Sequence, residues 1–291
     1  MSILVDHNTR VIVQGITGKT GRVQTDWMLQ YGTNIVAGVT PGKKGEEVLG
    51  IPVYDTVAEA VAERGADASV FFVPAPAVKS AVFETIDAGI KLIVVVTEHI
   101  PVHDVMEMKA YARDKDVFII GPTSPGVITP GESKIGIMPG GMFNPGRIGV
   151  ISRSGTLSYE VSINLAAAGL GQSTVVGIGA DPVVFTNMPD LLELFEEDHD
   201  TDLVVIVGEV GGTQEQHAAQ FIDRWMTKPV VAYIAGSTAP EGKRMGHAGA
   251  IIQSDIGAPQ GKMAILREVG VEIAKSPLEV VALVKNCLAR D

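Results

Sequence analysis

Short, almost unbroken apolar runs recur along the chain, each followed by a stretch in which apolar residues return every three or four positions. In the first 120 residues the runs are RVIVQG, NIVAGVT, ASVFFVP, KLIVVVT and VFIIG. Strands apolar on both faces belong in parallel sheets covered by helices, so these runs predict an open, doubly wound α/β domain. The alternation resumes with RIGVISR, STVVGIG, DLVVIVGE and PVVAYIAG. Helices are predicted from about Ser154, near 189–198, near 213–226, near 259–269 and near 277–289. This is a second α/β domain with a mainly parallel sheet. Between the two, residues 121–147 hold 12 glycines and prolines among 27 residues. Neither residue suits a helix or sheet interior, so the expected division is a first domain over 1–122, a Gly/Pro-rich connection over 123–147 and a second domain over 148–291.

Composition narrows the function. The 291 residues are 46% hydrophobic and 20% charged, with net charge -11, which argues against broad attraction to nucleic acid or to an anionic membrane. No apolar run approaches the roughly 20 residues of a membrane span, and the N-terminus lacks the build of a signal peptide, so a cytoplasmic location is expected. One cysteine, Cys287, excludes a disulfide framework and a cysteine metal cage. His99 and His103, followed by Asp104, could face one way on a helix, but two ligands make a weak metal site, and no metal is expected.

Candidate chemistry begins at RVIVQGITGKTG, a strand entering Gly15, Gly18 and Gly21 ahead of a helix, the setting in which backbone N–H groups hold phosphates. A Walker A loop would need glycine where Val13 stands. An NAD site would want a carboxylate after the second strand, where this chain has Thr40, Pro41, Gly42 and Lys43. A cation there suggests a phosphorylated sugar, as in NADP or coenzyme A, although Lys43 and Lys44 also read as plain surface charges. An NADP-binding oxidoreductase and a non-catalytic CoA-binding protein therefore stay open.

GKRMGHAGAI places His247 between glycines, which serves a turn or the close approach of a second backbone or a phosphate. Glu209 ends an apolar strand before two glycines, at the edge where α/β sites form. Accepting Nδ1–H from His247 would satisfy the carboxylate, fix the tautomer and leave Nε2 as nucleophile. Ser154 and Gly155 open a helix without bulky side chains, which suits either simple capping or a phosphoryl group.

GITGKTG, GVTPGKKG, VTEHIP, GPTSPGVITPGESKIGIMPG, SRSGTLSYE, GEVGG and IAGSTAPEGKRMGHAGAI stand in an order that resembles the α subunits of succinate-CoA ligases, over essentially the full chain. The resemblance implies a Rossmann-like CoA-binding domain followed by a flavodoxin-like ligase domain. It also implies a separate β subunit carrying an ATP-grasp site for ATP or GTP with Mg, in an αβ or α2β2 assembly. By the same resemblance His247 is the phosphorylated histidine and Glu209 its carboxylate partner. Thr17, Gly18, Lys19, Thr20, Lys43, Val96, Thr97 and Glu98 match the CoA contacts. Tyr159 matches an acid-substrate residue, and Ser124 lies near the acyl-transfer site. Lys243 and Arg244 would help neutralise the phosphoryl group.

The family's Gly-Pro-Asn-Cys-Pro-Gly stands here as Gly121-Pro122-Thr123-Ser124-Pro125-Gly126. Its Gly-Gly-Asp-Pro and following Gly-Ser pair are replaced by Gly179-Ala180-Asp181-Pro182 and a loop bearing Phe185 and Met188. These changes bear on the choice of acid, and ligation of malate or citrate on the same scaffold is the alternative.

Overall fold

The computed structural model describes residues 2–240, 242–252 and 257–290. The first lobe runs β1 (Val11–Gln14), α1 (Lys19–Tyr31), β2 (Ile35–Val39), β3 (Glu47–Val48), β4 (Ile51–Tyr54), α2 (Val57–Arg64), β5 (Ala68–Phe71), α3 (Ala75–Asp87), β6 (Leu92–Val95), α4 (Val102–Ala112) and β7 (Phe118–Ile120). Its sheet has the order β3-β4-β2-β1-β5-β6-β7, parallel except for the β3–β4 pair. The order reverses at β1, so the crevice beyond its carboxyl end is the natural ligand position of a doubly wound sheet.

The second lobe comprises β8 (Gly126–Thr129), β9 (Ser133–Gly136), β10 (Pro145–Ser152), α5 (Gly155–Ala167), β11 (Gln172–Gly177), α6 (Met188–Glu197), β12 (Leu203–Gly208), α7 (Gln214–Trp225), β13 (Val230–Ile234), α8 (Pro259–Glu268), β14 (Glu272–Ala274) and α9 (Glu279–Leu288). Its sheet runs β14-β13-β12-β10-β11-β8-β9, parallel from β14 to β11. Strands β11 and β12 are buried at every position, as helices on both faces require.

The predicted alternation is found in both lobes. The stretch over 123–147, expected as a connection, carries the β8–β9 hairpin, which adds two antiparallel strands to the edge of the second sheet. Glycine is needed there because strands nearly touch: a Cβ on Gly126, at φ 104, would sit 2.0 Å from the Ile135 carbonyl oxygen. Local capping sets several helix starts. Thr56 accepts from Glu59 N ahead of α2, Ser154 from Leu157 N ahead of α5, and Asn187 with Asp190 makes a capping box at α6.

Phe185 and Met188 are both buried. Phe185 joins the core of the first lobe and its N–H donates to Gly121 O, while Met188 opens α6 within the core that spans both lobes. Thr33 Oγ1 donates to Lys134 O at 2.7 Å, tying the end of α1 to the hairpin. Among the described residues no helix is long and apolar enough to cross a membrane.

Candidate active site

Residues 242–252 fold back on themselves: Gly242 N donates to Ile252 O, Met245 N to Ala250 O, and Arg244 pairs with Ile251. His247 lies at the tip. Gly246, at φ 90, takes a conformation that a side chain would strain. Gly249 answers to close approach: its N–H donates to Ala180 O at 2.9 Å, and a Cβ there would lie 2.6 Å from the same oxygen. The loop is thus seated on residues 180–181 of the β11 exit.

His247 Nδ1 meets Glu209 Oε2 at 2.8 Å, with the imidazole 36% exposed and the carboxylate 7%. Glu209 follows β12, so its carboxylate stands at the carboxyl edge of the second sheet. Its hydrogen bond raises the pKa of His247 above the ordinary value, against the opposing effect of burial. With Nδ1–H directed to Glu209, the neutral ring presents Nε2 as a lone pair.

Arg153, at the end of β10, places Nη2 3.5 Å from Glu209 Oε1. Next in the chain, Ser154 and Gly155 begin α5 with no acidic side chain in the first turn. Tyr159, one turn further, packs edge-on to Phe143, and burial pushes its phenol up to about 12. A cavity of about 400 Å³ beside the loop is lined by Arg153, Asp181, Thr213, Gln214, Arg244 and Gly249. Burial, then the nearby Glu98, hold the Asp181 carboxyl above its usual range. Lys243 and Arg244 are exposed.

The glycine loop of the first lobe carries the remaining expected residues. Gly18 caps α1 without a side-chain acceptor, and no acidic residue occupies the first turn, so the N–H groups around Lys19 and Thr20 suit a phosphate. A Cβ on Gly21 would sit 2.1 Å from Gly15 O, which explains that glycine by packing. Thr17 Oγ1 donates to Thr40 Oγ1 at 3.2 Å, bringing the loop beside the turn that carries Lys43. Lys43 is exposed and pairs with Glu46 at 2.8 Å, while its N–H donates to Asp55. Val96, Thr97 and Glu98 leave β6, with Thr97 Oγ1 donating to Val73 O and Thr97 O accepting from Thr123 N. Glu98 lies within electrostatic reach of His247, so the exits of the two sheets face one another. Of these groups, the N–H groups at the start of α1, on the crevice side of β1, carry no side-chain cap, whereas the Thr17 and Thr97 hydroxyls and Lys43 are paired within the chain.

Ser124 is buried, with its hydroxyl donating to Gly177 O at 2.5 Å and accepting from Gly126 N at 2.9 Å, so both roles are spent on the loop backbone. His99 precedes α4 at φ 62 with its side chain 92% exposed, whereas His103 lies in the helix, so the two do not share a helical face. No group of three potential metal ligands occurs among the described residues.

Sequence reasoning missed a buried cluster below the site. Glu215 and Lys262 have fully buried side chains and pair with each other, and Arg153 joins them. The available signal was a charge in the buried register of an amphipathic helix: Lys262 lies on the face of Pro259 and Leu266, and Glu215 on that of Ala218, Ala219 and Ile222.

Residues 6–99 match the model of a CoA binding domain, and residues 151–271 that of a CoA-ligase. Over 288 residues the chain is 55% identical to an α subunit of the ADP-forming succinate–CoA ligase of Archaeoglobus fulgidus, covering 99% of this chain and 100% of that one. The α subunit from Aquifex aeolicus is 51% identical, over 99% of this chain and 95% of its own. Among solved structures, an ATP citrate lyase variant from Methanosaeta concilii in complex with (3S)-citryl-CoA superposes with a TM-score of 0.90 at 26% identity. That match covers 99% of this chain but 50% of the lyase. With both halves matched in order, and more than half of its residues shared with a full-length relative, the chain belongs to the family of succinate–CoA ligase α subunits.

Proposed function

We propose that the chain is the phosphoryl-carrying subunit of a ligase that joins succinate to coenzyme A at the expense of a nucleoside triphosphate. The observation that carries this reading is the 2.8 Å pair of His247 Nδ1 with a buried Glu209. A neutral imidazole with Nε2 free is a nucleophile near neutral pH, and its phosphoramidate remains a good donor.

His247 Nε2 attacks the γ-phosphorus and the nucleoside diphosphate leaves, while Glu209 stabilises the growing positive charge at Nδ1. A succinate oxygen then takes the phosphoryl group from Nε2, giving an acyl phosphate and returning the histidine. Acyl transfer to the thiol sulfur forms the thioester, expels inorganic phosphate and releases the thiol proton. The backbone at Ser154 and Gly155, with Arg244 on the cavity rim, would balance phosphoryl charge.

Coenzyme A enters as substrate rather than resident cofactor. Thr17, Gly18, Lys19 and Thr20 would hold its phosphates, Lys43 the phosphorylated ribose, and Val96, Thr97 and Glu98 would lead the thiol toward His247. Tyr159 would border the acid. The nucleotide and its Mg would be held on a β subunit with an ATP-grasp domain, because the glycine loop has Val13 where a Walker A glycine belongs.

The test is to purify the chain with its co-expressed β partner and supply γ-labelled ATP or GTP. Acid-labile, base-stable label absent from His247→Asn is expected, discharged by succinate with coenzyme A faster than by malate or citrate. A confirmed complex that takes no label from either nucleotide would overturn the reading.

A further inference from the structure

Beneath the His247–Glu209 pair, three charged side chains are spent almost wholly on one turn of backbone. Glu215 Oε2 accepts from Lys262 Nζ at 2.5 Å, and Oε1 from Arg153 Nη1 at 3.1 Å. Glu215 Oε1 also accepts from Glu209 N at 3.1 Å. Lys262 Nζ donates to Glu209 O at 2.9 Å and Gly211 O at 2.5 Å; Arg153 Nη1 donates to the same two oxygens at 3.1 and 2.7 Å.

Stability alone is a poor reason for this arrangement. Burying ions costs several kcal/mol each, and apolar side chains of similar volume often serve as well or better. What the cluster does is hold the N–H of Glu209 and the carbonyls of Glu209 and Gly211, and that turn meets the histidine loop twice. Glu209 reaches His247, and Gly211 backs the loop so tightly that a Cβ would lie 2.2 Å from Gly249 O.

We infer that Arg153, Glu215 and Lys262 are positioning residues for phosphoryl transfer: they aim Glu209 at Nδ1 of His247 and so commit the ring to the tautomer whose Nε2 can attack. The inference rests on His247 being the phosphoryl acceptor. Burial works against an ionised Glu215, but Arg153, Lys262 and the hydrogen bonds outweigh it and keep the carboxyl below its usual range. Glu209 meanwhile gives Oε2 to the imidazole at 2.8 Å, while Oε1 lies 3.5 Å from Arg153 Nη2 as an ion pair without a hydrogen bond.

The tautomer provides the test. His247 is faced by Glu209 and Arg153, by Glu98 from the first lobe and by Asp181 beneath the loop, so a titration shift alone would mix charge with geometry. Full-length chain isotopically labelled at its histidine nitrogens is examined by NMR, the His247 signals being assigned by their loss in His247→Asn. The double variant Glu215→Gln/Lys262→Met leaves net charge unchanged. It is expected to move neutral His247 from the Nδ1–H toward the Nε2–H form, the same shift expected of Glu209→Gln. In the complex it should slow labelling about ten- to a hundred-fold, the range for outer partners that orient a ligating histidine. If the double variant does not fold, the isosteric Glu215→Gln is read in the same way. A folded variant that keeps both the wild-type tautomer and the wild-type labelling rate overturns the inference. Wild type without label overturns the phosphohistidine reading instead, so the two fail separately.

Discussion

Lys134 is the strongest test of the energetics of this fold. Its side chain on β9 is 2% exposed, with Nζ donating to Met138 O at 2.8 Å and no carboxylate paired with it among the described residues. Burial lowers its pKa from 10.5 to about 8. Below about pH 8 the amine is protonated in folded and unfolded chain alike, and the folded state bears the full cost of the buried charge, about 3 kcal/mol. Between about 8 and 10.5 the unfolded chain binds more protons, so this residue's contribution makes stability rise with pH; above that window the cost is gone.

Lys134→Met removes the titration and keeps the length of the chain, while the Thr33 contacts, made by the main chain of residue 134, persist. Wild type should therefore gain about 2 kcal/mol relative to the variant between about pH 7 and about pH 9.5. Urea unfolding of both proteins at the two pH values measures this as a double difference, in which the titrations they share cancel. At neutral pH the variant should match or exceed wild type, the relief of charge burial offsetting about 1–3 kcal/mol for the orphaned Met138 carbonyl. Parallel pH profiles for the two proteins would refute the argument.

Other expectations concern the site. Glu209→Gln should cut the initial rate of His247 labelling on the order of a hundred-fold or more, because the amide can present N–H to Nδ1 and favour the wrong tautomer; a rate within a few-fold of wild type would argue that the pair is incidental. Since Glu209 raises the pKa of His247, and only the neutral ring attacks, wild-type labelling should rise with pH through a midpoint above 6.5. In Glu209→Gln that midpoint should fall, as rapid-quench profiles of both proteins would record. Gly249→Ala should lift the loop off Ala180 O, costing about ten-fold or more in labelling rate while thermal unfolding moves little; an unchanged rate would show that the loop adjusts freely. Lys43→Glu should raise KM for coenzyme A on the order of ten-fold with kcat held, and steady-state kinetics giving an unchanged KM would remove Lys43 from the site.

How much was legible beforehand depended on whether a feature is written in one segment or made between segments. β12 is six buried residues in a row, and the four-residue β6 is equally covered, so hydrophobic runs exposed both sheets. The short β3 and β14, Glu-Val and Glu-Ile-Ala, present no such run. The β8–β9 hairpin was hidden by its glycines and prolines, which read as breakers although close strand contact is what demands Gly126. His247 and Glu209 could be matched across 38 positions because a buried carboxylate at a strand end needs a partner. That rule stopped short of the charges below them. Lys262 looks like an ordinary surface lysine until α8 is seen to turn it toward α7, and Glu215 like a first-turn acid that favours a helix N-terminus. Only packing shows that both side chains are wholly buried, where breaking the pair would cost about 3–5 kcal/mol. The glycines around His247 carry the same lesson: Gly246 follows from a turn, which is local, while Gly249 follows from the Ala180 carbonyl, which no spacing within the loop reveals. Within its own segment His247 reads equally as a turn residue; only Glu209, 38 positions away, singles it out, and the structure that sets the two together is made of contacts among β10, α7, α8 and the β11 exit.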